Sequence, residues 1–186
     1  MKKILIILFA ILCIPISGFA ISLSTLENNP NRYVKVAENS ESATYLDTYS
    51  VKSIRYVPPY YTLSATTYWV RYTHNDIVTR SNLFNYDYNY SMRSTIDKVI
   101  SEMNQNDEPL DSEEISTRVE NSLRENSGIN ANITILSVWR LNGRLIKNFS
   151  SGHSTSLEID YDTFGYLTFG YLTAQAIFQT YYSQNF

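Results

Sequence analysis

Cysteine is almost missing. The single Cys13 among 186 residues rules out an internal disulfide, so the fold has to rest on packing. Histidine is nearly as scarce. His74 and His153 stand far apart, and without a cysteine pair the chain offers no zinc-type ligand spacing. A Gly-x-Ser-x-Gly elbow, a Ser-x-x-Lys motif, a phosphate-cradling glycine loop and a dinucleotide fingerprint are all lacking. No catalytic, cofactor-binding or metal-binding residue is assigned on these grounds, no cofactor is expected, and ligand-binding residues are unknown from sequence. Positive charge is also short, with 15 Lys and Arg against 18 Asp and Glu and no basic cluster. That excludes the electrostatic footprint of a nucleic-acid binder. The longest unbroken apolar run covers residues 4–14, too few to span a bilayer.

That run is informative where it stands. Met1-Lys2-Lys3 forms a cationic start, the run has the length of a signal-peptide core, and Pro15 breaks it. Ser17-Gly18-Phe19-Ala20 places small residues where signal peptidase needs them, so residues 1–20 read as a signal peptide cut before Ile21. An uncleaved anchor is the competing reading. Leu12 is too bulky for lipoprotein processing at Cys13. The expectation is an exported protein, periplasmic or at the cell surface, with no stable membrane span after cleavage. Losing Lys2 and Lys3 leaves 13 basic against 18 acidic residues, a side-chain charge of −5.

Residues 21–31 are polar and read as an N-terminal arm, followed by a single α+β domain over 32–186. Alternating patterns predict strands at 32–37, 43–47, 51–57, 60–73 and 77–88, the last two forming a long antiparallel hairpin around His74-Asn75-Asp76. In the first of that pair Tyr61, Leu63, Ala65, Thr67 and Trp69 share one face. Ser91 then caps a helix with Met92, Ile96, Val99, Ile100 and Met103 on one side. Asp111 caps a second, in which Glu114 completes a capping-box variant and Ile115, Val119 and Leu123 form the buried stripe. Glu114 with Arg118 and Glu120 with Arg124 are spaced for i,i+4 pairing, and Gly128 suits the helix C-cap. Asn142-Gly143 predicts a type I′ hairpin turn between strands at 132–141 and 144–149. A last helix, capped by Asp160 or Asp162 and reaching Ser183, carries a five-residue repeat, Phe164-Gly165-Tyr166-Leu167-Thr168 and Phe169-Gly170-Tyr171-Leu172-Thr173. Its apolar groups lie on nearly every side, which predicts burial over most of its circumference.

Sixteen tyrosines are an unusual supply of half-polar rings. Pro58-Pro59-Tyr60-Tyr61 and Tyr86-Asp87-Tyr88-Asn89-Tyr90 read equally as ligand platforms and as core or edge decoration. Trp139, in an alternating segment before a tight turn, reads as core. The acidic run Asp107, Glu108, Asp111, Glu113 and Glu114 suits a helix dipole better than calcium, since the glycine of a calcium loop is missing.

Arg32-Tyr33-Val34-Lys35-Val36, then Tyr45-Leu46-Asp47-Thr48 and Val51-Lys52, resembles the opening strands of the bacterial surface-adhesin protein E family. The resemblance implies a small antiparallel sheet closed by a helix across its face, without catalytic residues. Two features depart from that family's pattern: its type member ties the helix by a disulfide and is lipid-anchored, and the helical stretch over 91–126 is long. The fold class expected is α+β, an antiparallel sheet of five to seven strands with two inserted amphipathic helices and a C-terminal helix packed on the sheet. The function expected is an exported, non-enzymatic, adhesin-like binding domain with a protein or an envelope or matrix component as partner. The competing readings are an exported hydrolase with an unrecognised site and a self-associating structural envelope protein, a homo-oligomer built through its edge strands.

Overall fold

The computed structural model describes residues 20–149, 157–159 and 167–186. Residues 1–19 of the expected signal peptide, His153, and the proposed helix caps Asp160 and Asp162 lie outside the described residues.

The fold is α+β, an antiparallel sheet with helices, as expected. Its centre is three twelve-residue strands, β4 (Tyr60–Arg71), β5 (Asp76–Asp87) and β6 (Ile129–Arg140). Their Thr, Tyr, Val and Ile content favours a pleated, half-buried surface. Each outer edge of this trio is shared by two short strands placed end to end. β2 (Ser42–Asp47) pairs with the Thr67–Arg71 end of β4, and β3 (Lys52–Val57) with its Tyr60–Ser64 end. Across the sheet, β7 (Leu145–Asn148) takes one end of β6 and the three-residue β8 (Leu157–Ile159) the other. β1 (Tyr33–Glu38) completes the sheet beside β2.

The break between β2 and β3 has a local cause. Asp47 caps a 3-10 turn, Thr48–Ser50, by accepting from the Tyr49 N–H at 3.2 Å, and Arg32 holds its carboxylate through two bonds of 3.0 and 2.8 Å. Ser50 Oγ donates to the Asp47 carbonyl and accepts from the Thr66 N–H, which pins the turn to β4.

Two apolar cores lie on opposite faces of the sheet. On one face Leu63, Ala65, Phe84, Tyr86, Ile129 and Ala131 are covered by helix α4 (Phe169–Tyr182). On the other, at the far end, Tyr45, Tyr68, Val70 and Ile77 are covered by Ile21 and Leu26. The latter two belong to a segment read as an arm, and the structure corrects that reading. Ser22 caps a short helix, α1 (Leu23–Glu27), and burial of one leucine face fixes it. The helical hairpin, α2 (Met92–Gln105) and α3 (Ser112–Glu125), has a third core of its own in Val99, Met103, Val119 and Leu123. Ser91 and Asp111 cap these helices as expected. Glu114 does not close a capping box, because Arg118 draws it away and binds Glu108 as well.

Two turns differ from expectation. Only Gly143, not Asn142, has a positive φ, and the Arg140 and Arg144 backbones bond at 2.8 Å across a three-residue loop. This is a type I turn with a glycine bulge rather than a type I′ turn. Helix α4 begins at Phe169 and not near Asp160, since Leu167 sits at φ 66° and Thr168 turns its hydroxyl back to the Tyr171 N–H. Its end at Tyr182, with Ser183 left-handed, agrees with the sequence reading. As expected from its composition, only Gln179, Thr180 and Tyr181 of this helix are exposed.

Buried tyrosine makes the fold sensitive to alkali. The Tyr86 hydroxyl donates to the Ala174 carbonyl at 2.9 Å, and burial pushes its pKa well up. Burial, with Tyr33 and Asp47 nearby, does the same to Tyr68. In the unfolded chain both ionise near pH 10. Their contribution to stability is therefore whole below pH 10 and lost as pH rises past it, by about 1.4 kcal/mol per pH unit for each. Absorbance titration is expected to show a set of tyrosines that ionise only as the far-ultraviolet dichroism collapses. Complete ionisation with the fold intact would contradict this.

Candidate functional site

Helix α4 covers only part of its face of the sheet. Beyond its first turn, toward the β4–β5 hairpin, described residues of the same face line a cavity of about 360 Å³. The strand register explains its lining. Thr44 stands opposite Trp69, Thr67 opposite Arg80, and Ala65 opposite Asn82, so alternation brings Thr44, Thr67, Trp69, Arg80 and Asn82 to one face. Phe84 and Ile133 form the apolar floor, and Phe169 with Gly170 brings the positive end of α4 to the rim.

Arg80 is the chemical centre of the cavity. Its guanidinium lies 4.0 Å from the Trp69 ring centroid, while Arg71 approaches the same ring at 5.1 Å. Arg71 is already neutralised by Asp76, through bonds of 2.8 and 2.7 Å that close the hairpin. Arg80 has no such partner: among the described residues it makes neither a salt bridge nor a side-chain hydrogen bond. Burial, with the charge of Arg71 adding to it, holds its pKa down at about 10, so it stays charged at neutral pH.

Two of the hydroxyls around it keep a proton to donate. Asn82 Nδ2 donates to Thr67 Oγ1 at 2.9 Å and to the Ala65 carbonyl at 3.1 Å, which leaves the Thr67 proton to be given elsewhere. Thr44 is buried and its hydroxyl has no partner among the described residues. The Asn39 carboxamide oxygen, by contrast, is saturated by the N–H groups of Glu41 and Ser42 and the Ser42 hydroxyl. Among the described residues the lining holds one cation and no carboxylate or histidine.

The residues singled out from sequence fall elsewhere. His74 sits exposed in the β4–β5 turn beside Thr73, 3.0 Å from its hydroxyl. Glu108 and Glu114 converge on Arg118, and Asp111 caps α3. The two tyrosine motifs do meet, with Tyr61 opposite Tyr86 and the Tyr88 N–H on the Pro59 carbonyl, but they do so as packing. Tyr61, Tyr86 and Tyr88 surround Phe178 of α4. Exposed Tyr60 and Tyr90 border a smaller polar cleft of about 230 Å³ with Arg55, Asn85 and Asn130. Trp139 is partly buried against the second core, its indole N–H on Ser137 Oγ at 2.8 Å. Sequence reading did not single out Arg80. The available signal was a cation on the same face as Trp69 within an otherwise apolar or hydroxylic alternation.

No family model, no curated protein and no solved structure matches this chain. Among the described residues no helix is long and apolar enough to cross a membrane.

Proposed function

We propose that this is an exported, non-enzymatic binding domain whose ligand seat is the Trp69–Arg80 cavity. The observation that carries the reading is Arg80 itself. A largely buried cation without a counter-ion costs stability, and an anionic ligand compensates it. The lining favours binding over turnover, since among the described residues it holds no carboxylate, histidine, cysteine or lysine for the acid, base or nucleophile role that catalysis needs. Export and the adhesin-like reading are supported by the sequence features at residues 1–20 and 32–52. In a pull-down against envelope fractions and host matrix proteins, the wild type is expected to retain a partner. Arg80→Gln is expected to lose at least tenfold of that retention. Equal retention by both would move the binding surface away from this cavity.

One observation favours self-association as a second reading. Edge strand β3 leaves Ile54 and Tyr56 60 % and 63 % exposed, with Val57 and Tyr60 beside them. Light scattering then shows a mass that rises with protein concentration and falls when Tyr56 is replaced by lysine. A constant monomer mass would remove this reading.

A further inference from the structure

Resting on the binding reading, the geometry points to a specific ligand chemistry: we infer that the Trp69–Arg80 cavity takes a single carboxylate carried on a compact apolar body. Three features of the cavity lead there. Among the described residues its charge inventory is one guanidinium without a counter-ion, which balances one negative charge and not two. Beside it the hydroxyls of Thr44 and Thr67 each keep a proton to donate, the second already committed as an acceptor to Asn82, while the hydroxyl protons of Ser42 and Thr173 are spent on Asn39 and the Phe169 carbonyl. A planar guanidinium fork with two neutral donors matches the two oxygens of a carboxylate, whereas a phosphate dianion presents more charge and more acceptor oxygens than this lining meets. Below the donors the floor is Phe84 and Ile133, with Phe169 on the rim, so the part of the ligand beyond the carboxylate has to be apolar. At about 360 Å³ the space holds a small organic acid or the last side chain and terminus of a peptide, and the two share this chemistry.

Trp69 supplies the readout. Arg80 rests on its ring, so a ligand that draws the guanidinium away changes the field at the indole. With Trp139→Phe as background, Trp69 is the one remaining tryptophan. In that protein 3-phenylpropionate is expected to shift the emission saturably, and 3-phenylpropionamide to bind at least tenfold more weakly. Arg80→Gln abolishes the response. Arg80→Lys keeps the charge without the fork and weakens it at least tenfold. Thermal midpoints at or above that of the parent keep these losses from being misfolding. Acetyl-Gly-Gly-Phe with a free terminus serves as the second arm. Stronger binding by it than by phenylpropionate identifies a chain terminus as the source, and the reverse identifies a free organic acid. Equal binding of acid and amide, or a response to inorganic phosphate with the acids silent, overturns the carboxylate assignment. If neither acid binds but Arg80-dependent retention persists in the pull-down, this inference fails alone. If both are lost, the binding reading fails with it.

Discussion

Phe178→Ala is expected to cost the fold about 3–5 kcal/mol, the range for deleting a large aromatic from a packed core. Phe178 is 0 % exposed and stands where α4 meets the sheet. Its ring centroid lies 4.7 Å from that of Tyr182, 5.1 Å from Tyr86, 5.3 Å from Phe186 and 5.6 Å from Tyr61. Four of these rings are anchored independently: Tyr61 and Tyr86 by the sheet, Tyr182 by the helix, and Phe186 by Gln175, whose amide bonds both the Phe186 N–H and its carbonyl. Such a cage cannot collapse into the space that alanine leaves, so the cost falls at the upper end. Without a disulfide, nothing covalent holds α4 in place after the anchor goes. Urea unfolding followed by circular dichroism measures the loss. A change under 1 kcal/mol would show that the helix is held by something other than this ring.

Gly128→Ala is expected to destabilise by about 2–5 kcal/mol, from two sources that add. Gly128 sits at φ 66°, where a Cβ costs about 1–2 kcal/mol by itself. The added methyl also meets the Asp87 carbonyl oxygen and the Tyr90 Cβ, both at 2.7 Å, and overpacking of that kind costs about 1–3 kcal/mol. The backbone cannot step aside, because the Asp87 N–H donates to the Gly128 carbonyl at 2.8 Å. This bond ties the end of β5 to the start of β6 just where the helical hairpin leaves and returns. The thermal midpoint of the variant therefore drops by several degrees, and a midpoint within one degree of wild type contradicts the contact.

Much of the fold was legible because its signals are local. The strand pattern of β4 predicted which side chains share a face, and the register confirms Leu63, Ala65 and Thr67 together. Ser91 and Asp111 act as caps within one turn of sequence. What failed to read was set by distant partners. Helix α1 is five residues long, too short to show a period, and exists because Leu26 is buried under another part of the chain. The tandem repeat is the sharpest case. Leu167 and Leu172 occupy equivalent positions, yet one is left-handed and the other is helical; Thr168 caps the helix, while Thr173 lies inside it and donates to the Phe169 carbonyl. Identical residues take different conformations because Leu167 stays exposed ahead of the helix while Tyr171, Thr173 and Ala174 are buried against the sheet. The cavity was hidden for a similar reason. Its residues run from Asn39 to Thr173, and only strand pairing brings them together.

The placement of the cores on opposite faces has a dynamic consequence. α1 and its buried leucine shield one end of the sheet from behind, α4 shields the other from in front, and the long strands β4 and β5 run beneath both. The two covers need not lift together. Amides beneath α1 and beneath α4 can therefore exchange with solvent through separate openings, while those of β4 and β5 wait for the whole molecule to come apart.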